Sequence, residues 1–121
     1  MRIDDILKIV DGKLVVEGKK DSLEIQFVCG SDMLSDALRY ALKGALLITS
    51  LNQSQVIRTA DIADIPAVLI VLGKPIPEDM RLLAEDKNVT IISSPHSLFT
   101  VCGKLYEYGM RSCREQQQRS D

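Results

Sequence analysis

The chain contains no Trp, and only two Phe and three Tyr among its 121 residues. So few rings offer no platform on which nucleic-acid bases could stack. Neither sign of charge dominates. Fifteen Lys and Arg stand against seventeen Asp and Glu, interspersed, for a formal net charge of −2. A binder of phosphate backbones needs clustered bases, so no nucleic-acid partner is expected. The longest unbroken aliphatic run, Ala67 to Leu72 between Pro66 and Gly73, is far too short to cross a bilayer. The opening Met1-Arg2-Ile3-Asp4-Asp5 lacks the long apolar stretch of a secretory signal. No membrane role is expected, and the expected location is the cytoplasm.

Cysteine and histidine are scarce as well. Cys29, Cys102 and Cys113 are widely spaced and odd in number, which suits a reducing compartment. There is no CxxC pair, and the single His96 has no thiol near it in sequence, so no zinc site and no other metal centre is expected. Cys102 falls on an apolar helical stripe and reads as core. Cys113, in a polar tail, reads as a free exposed thiol. The chain also lacks a GxxxxGK[ST] stretch, a GxGxxG turn and a GxSxG elbow. These absences remove a phosphate-cradling P-loop, a dinucleotide fingerprint and a nucleophile elbow. No enzyme activity and no cofactor are therefore expected.

What is present is ordinary globular composition, 45% apolar and 26% charged. The length suits one domain, expected over residues 1–110, with 111–121 as a disordered polar tail. Ile3, Ile6, Leu7 and Val10 have the i, i+3, i+4, i+7 spacing of an amphipathic helix. A short strand is predicted over Lys13 to Val16, followed by a charged turn around Glu17 to Asp21. Glu24 to Cys29 alternates as a partly exposed strand, with Ile25, Phe27 and Cys29 on one face. Then the rhythm becomes regular. A helix over Met33 to Leu42 carries a stripe of Leu34, Ala37, Leu38 and Ala41. Ala45 to Thr49 reads as a strand buried on both faces. A helix over Gln53 to Ala63 is followed by the central strand Ala67 to Leu72. Pro77 opens a helix with Met80, Leu83 and Ala84 inward. Val89 to Ile92 is the last strand. Ser94-Pro95 supplies an N-cap and first-turn proline for a final helix carrying Leu98, Val101, Cys102 and Leu105. Strands alternating with helices across short connections demand a mostly parallel sheet covered by helices.

In such a sheet, ligands gather beyond the carboxyl ends of the strands. The loops predicted there are Gly30-Ser31-Asp32, Ser50 to Ser54, Gly73-Lys74-Pro75 and Ser93-Ser94-Pro95-His96. They supply the candidate ligand-binding residues Ser31, Asp32, Ser35, Asp36, Thr49, Asn52, Gln53, Ser93, Ser94 and His96. Free N–H groups at helix starts favour an anion there, such as a nucleotide or phosphorylated metabolite. Ser31, Asp32, Asn52 and Ser94 read first of all as plain helix caps. Asp32 and Asp36, four apart, share a helical face, but two carboxylates alone make a weak cation site. Lys74 follows Gly73 without a glycine-rich loop before it and reads as a turn residue.

The segments Gly30-Ser31-Asp32-Met33-Leu34-Ser35-Asp36-Ala37-Leu38, Ile48-Thr49, Ala67 to Gly73 and Leu105-Tyr106-Glu107 carry a resemblance. In their order and spacing the chain resembles the DRTGG-domain family in its stand-alone form, akin to the N-terminal domain of HPr kinase/phosphorylase. The resemblance runs from Ile3 to about Gly109. The name-giving Asp-Arg-Thr-Gly-Gly string is absent. Asp21-Ser22-Leu23 and Cys29-Gly30 stand in its place, and Ser50-Leu51-Asn52-Gln53 stands where relatives often carry a His. The resemblance implies an α/β fold, a three-layer α/β/α sandwich around a mostly parallel or mixed sheet of four to six strands, together with a regulatory or assembly role, a homodimer and a protein partner. Such domains occur fused to phosphotransacetylase and to CBS-domain pyrophosphatases. The related domains of Mur ligases hold a uridine nucleotide, which implies a ligand sensor as the alternative.

Overall fold

The structure is a computed structural model that describes residues 1–18 and 23–113. The elements run α1 (Ile3–Ile9), β1 (Lys13–Val16), β2 (Phe27–Gly30), α2 (Leu34–Tyr40), β3 (Leu46–Thr49), α3 (Ser54–Ile62), β4 (Ala67–Ile70), α4 (Glu78–Lys87), β5 (Thr90–Ser93), α5 (Leu98–Glu107) and β6 (Arg111–Ser112). They form a six-stranded sheet of order β1-β5-β4-β3-β2-β6. All neighbours pair parallel except β1, which runs antiparallel to β5. The expected mixed, mostly parallel α/β sandwich is what the chain forms.

Unbroken aliphatic strands have this consequence, since neither face can meet water. Leu47, Val68, Ile70 and Ile91 point to one side, where they pack with Val56, Ile57 and Ala60 of α3 and Met80 and Ala84 of α4. Leu46, Ile48, Leu69 and Ile92 point to the other, against Ile6 of α1 and Val101 and Leu105 of α5. Three helices thus cover one face and two the other. Among the described residues, no helix is long and apolar enough to cross a membrane.

Four expectations change. The strand predicted from Glu24 begins only at Phe27, because Glu24 forms an isolated bridge with Arg2 and Ile25 bonds to the main chain of Met1. Ile25 and Cys29 consequently enter opposite cores. In α2, Ala37 is buried but Leu38 is exposed. One step of about 100° turns Leu38 to solvent, and Ala41 is already extended at ψ 140°. The last helix is capped not by Ser94 but by Ser97, whose hydroxyl accepts from the Thr100 N–H at 3.2 Å. The fourth change concerns the tail. Residues 111 and 112 pair with β2, and Cys113 is buried at 1% exposure, with its sulfur accepting from the Leu42 N–H. The remainder of the predicted tail, and most of the predicted charged turn, lie outside the described residues.

Gly18 shows how tightly the layers close. A Cβ there would stand 2.5 Å from the main-chain carbonyl of Asn88, so only glycine allows this approach.

All three thiols are shielded. Burial pushes Cys29 up to about 11 and raises Cys102 and Cys113 as well. Reactivity resides in the thiolate. Iodoacetamide at pH 8 should therefore label the folded protein far more slowly than free cysteine and reach three equivalents once it is denatured. Labelling of Cys113 at the free-thiol rate in the native state would show that its segment does not dock on the sheet.

Candidate functional site: the carboxyl edge of the sheet

Parallel pairing of β2, β3, β4 and β5 brings their last residues to one edge, with Thr49, Ile70 and Ser93 in register and Gly30 level with Ile48. The four loops predicted to share that edge do share it. A continuous series of hydrogen bonds joins each to the next.

It begins at Asp32. Its Oδ1 accepts from the Thr49 hydroxyl at 2.9 Å and the Ser50 N–H at 2.6 Å, and its Oδ2 accepts from the Ser50 hydroxyl at 2.7 Å. These bonds tie the loop after β2 to the loop after β3. Lys74 Nζ then donates to the Ser50 carbonyl and Asn52 Nδ2 to the Pro75 carbonyl, both at 2.8 Å, joining the loops after β3 and β4. The loop after β4 turns sharply, with Leu72 at φ 65° and Gly73 at φ 59°. A left-handed leucine is strained. The turn is held because Leu72 N–H donates to the His96 carbonyl and Gly73 N–H to the Ser94 carbonyl, both at 2.8 Å. Finally, the Ser94 hydroxyl donates to the Val10 carbonyl at 2.8 Å, and His96 Nε2 meets Asp11 Oδ2 at 2.8 Å. The loop after β5 is thereby fixed to the turn before β1.

The candidate residues take different places along this lacing. Asp32, Thr49, Asn52, Ser94 and His96 all belong to it. Ser31 closes a local turn, its hydroxyl accepting from the Met33 N–H at 3.0 Å. Ser93 is the last residue of β5. Ser94 is fully buried, and its hydroxyl also accepts from the His96 N–H. Gln53 is the N-cap residue of α3 but makes no side-chain cap bond. Ser35 is exposed on the first turn of α2. Asp32 precedes α2 rather than lying on it, so no helical face joins it to Asp36. Instead Asp36 borders a cavity of about 180 Å³ with Cys29, Tyr40 and Cys113. Among the described residues, no group of three His, Cys, Asp or Glu is placed to hold a metal ion.

Sequence reasoning missed Ser50, Lys74 and Asp11 as members. Lys74 had a legible signal: a cation directly after the glycine that closes the aliphatic run Ala67 to Leu72.

Electrostatics follow from the bonding. The Ser50 N–H, with help from the Ser50 and Thr49 hydroxyls and the Lys74 charge, holds Asp32 below its ordinary value of 3.8 against the opposing pull of burial. The His96 hydrogen bond holds Asp11 low, with the charges of His96 and Lys104 adding to it. Asp32 is therefore an ionised carboxylate with three donors on it, suited to holding loops rather than to moving protons. Lys74 carries three donors, one of which goes to Ser50, so its ammonium can also face an anion arriving at this edge.

A mostly parallel sheet covered on both faces, with its polar groups gathered at the carboxyl edge, defines the class of open α/β domains that place ligands beyond their strand ends. Within that class the assignment is specific. The DRTGG domain model matches residues 5–108, and the chain belongs to the DRTGG-domain family. Its fold also matches the crystal structure of the CBS and DRTGG domains of the regulatory region of Clostridium perfringens pyrophosphatase, complexed with its activator diadenosine tetraphosphate. The TM-score is 0.73 at 16% identity, covering 85% of this chain and 45% of that one. The chain thus spans less than half the length of that neighbour.

Replacing Asp32 with Ala should destabilise the fold by about 1–3 kcal/mol, because the buried Thr49 hydroxyl and the Ser50 N–H lose their acceptor. The lowered pKa of Asp32 gives the pH dependence its sign. The Asp32 contribution is full above the unfolded value near 3.8 and is lost as pH falls through the lower folded value. Urea unfolding of wild type and Asp32→Ala at pH 7 and pH 3 should show a gap that narrows in acid. A gap that stays constant would exclude the carboxylate as the source.

Proposed function

We propose that this chain is a non-catalytic regulatory domain of the cytosol that acts through self-association. The observation that carries the non-catalytic reading is the closed lacing of the carboxyl edge. The candidate residues there whose side chains could move a proton, Asp32 and His96, are engaged in holding loops together. A general acid or base needs instead to reach the proton it moves. The fold match to the regulatory region of a pyrophosphatase supports the same reading.

One observation favours a more specific version, in which the edge senses a small anionic ligand such as a nucleotide. Lys74 is half-buried, with its Nζ on the Ser50 carbonyl in the loop that leads into α3, and the N-cap residue of that helix, Gln53, makes no side-chain cap bond. A cation beside such a helix start favours a phosphate. The neighbour's activator, diadenosine tetraphosphate, is a dinucleoside polyphosphate.

A thermal-shift screen with adenine and uridine nucleotides and inorganic phosphate tests the sensor. A ligand at a hundredfold excess over Kd adds about 2.7 kcal/mol and should raise Tm by several degrees. Lys74→Met should remove that shift; loss of the Ser50 bond lowers its own unliganded Tm, which is the baseline from which its response is read. If no compound moves Tm, or if Lys74→Met responds as wild type does, the edge is not the sensor.

A further inference from the structure

Seven glycines punctuate the chain, and six have a reason inside the fold. Gly44, Gly73 and Gly109 hold positive φ, and Gly12, Gly18 and Gly30 lie within 3.0 Å of atoms that a Cβ would strike. Gly103 has neither reason. It sits inside α5, and a Cβ there would meet nothing within 4 Å among the described residues. A mid-helix glycine costs about 1 kcal/mol relative to alanine, so its use calls for a cause outside the monomer.

The surroundings of Gly103 indicate that cause. At about 100° per residue, Gly103 lies opposite the buried Val101 and Leu105, at the middle of the outward face. Phe99 and Tyr106 flank it on one side and are 87% and 57% exposed. Thr100, Lys104 and Glu107 fall on the other side. Arg111 stacks on the Tyr106 ring at 4.1 Å and holds it in place.

We propose that this face is the self-association surface, with α5 packing antiparallel on α5 of a second copy about a two-fold axis near residues 103–106. The pattern is self-complementary in that orientation. A two-fold axis normal to the helix pair keeps each flank on its own side. Phe99 then meets the partner's Tyr106 and Tyr106 the partner's Phe99, while Lys104 reaches along the other flank toward the partner's Glu107. Gly103 meets the partner's Gly103 region and lets the backbones close. A parallel pairing would set the aromatic flank of one copy away from that of the other and lose both contacts. The occupant is therefore a second copy of this chain rather than an unrelated helix.

This inference rests on the self-association reading, and light scattering with sedimentation of the full chain separates the two. The wild type should be a dimer at micromolar concentration. Gly103→Leu and Tyr106→Ala should each weaken dimerisation at least tenfold, whereas Ile62→Ala, at an apolar position 71% exposed on α3, should not. Gly103→Ala carries the sharpest sign. It should raise the stability of the dilute monomer while weakening the dimer. Lys104→Glu and Glu107→Lys should each weaken it, and the double variant should restore it. Rescue by the double variant requires both charges on the same chain type and so excludes a foreign partner. A wild type that is monomeric at every concentration overturns both readings. A dimer indifferent to Gly103→Leu and to the charge changes overturns this surface and leaves self-association standing elsewhere.

Discussion

Parallel strand pairing is the constraint from which the rest of this structure follows. Four parallel strands must each be left at the same edge, so four chain reversals crowd together there. Their backbone groups are close to a buried sheet and need partners. Asp32, Asn52, Lys74, Ser94 and His96 meet that need by bonding from loop to loop rather than within one loop. The left-handed Leu72 is tolerated for the same reason, since its N–H and that of Gly73 are held by the neighbouring loop. Local strain is stable only where the surroundings over-determine it.

The sheet itself was largely legible. Aliphatic runs without alternation read correctly as strands buried on both faces, and the period of the helices put Val56, Ile57, Met80 and Val101 inward as expected. The failures share one cause: each depended on a contact distant in sequence. Phe27 rather than Glu24 starts β2 because Glu24 and Ile25 are drawn to the N-terminal residues. Cys113 looked polar by its neighbours, but its segment closes the sheet beside β2, more than eighty residues earlier. Ser94 before Pro95 has the local signature of a cap, yet the Val10 carbonyl claims its hydroxyl from across the sheet.

The site was legible in position but not in wiring. Listing the loops at strand ends required only the order of elements, and that placed Asp32, Thr49, Asn52 and His96 correctly at one edge. Whether such residues cap helices or bind one another depends on register, and register comes from the packing of both cores. Asp32 turned out to cap nothing, because α2 starts at Leu34 and the carboxylate reaches across to Thr49 and Ser50. Lys74 was passed over because its partner, the Ser50 carbonyl, is a main-chain group that no side-chain pattern announces.

The lacing also bears on how an edge can speak to a face. It ends at His96, immediately before Ser97, the cap of α5. At the other end, Gly30 closes β2 with its Cα side against the Cys102 sulfur, in the middle of the same helix. The first and last loops of the edge therefore both abut α5, one through the chain and one through packing. In the sensor reading a ligand at Lys74 shares the ammonium with the Ser50 carbonyl, and Ser50 is the group through which Asp32 holds the loop after β2. A change there has a short physical route to the helix whose outward face carries Phe99, Gly103 and Tyr106. Coupling between ligand and assembly needs only that the two arrangements of these loops differ in affinity for the ligand. Because linkage is reciprocal, a dimer that favours one loop arrangement must favour the same ligand state.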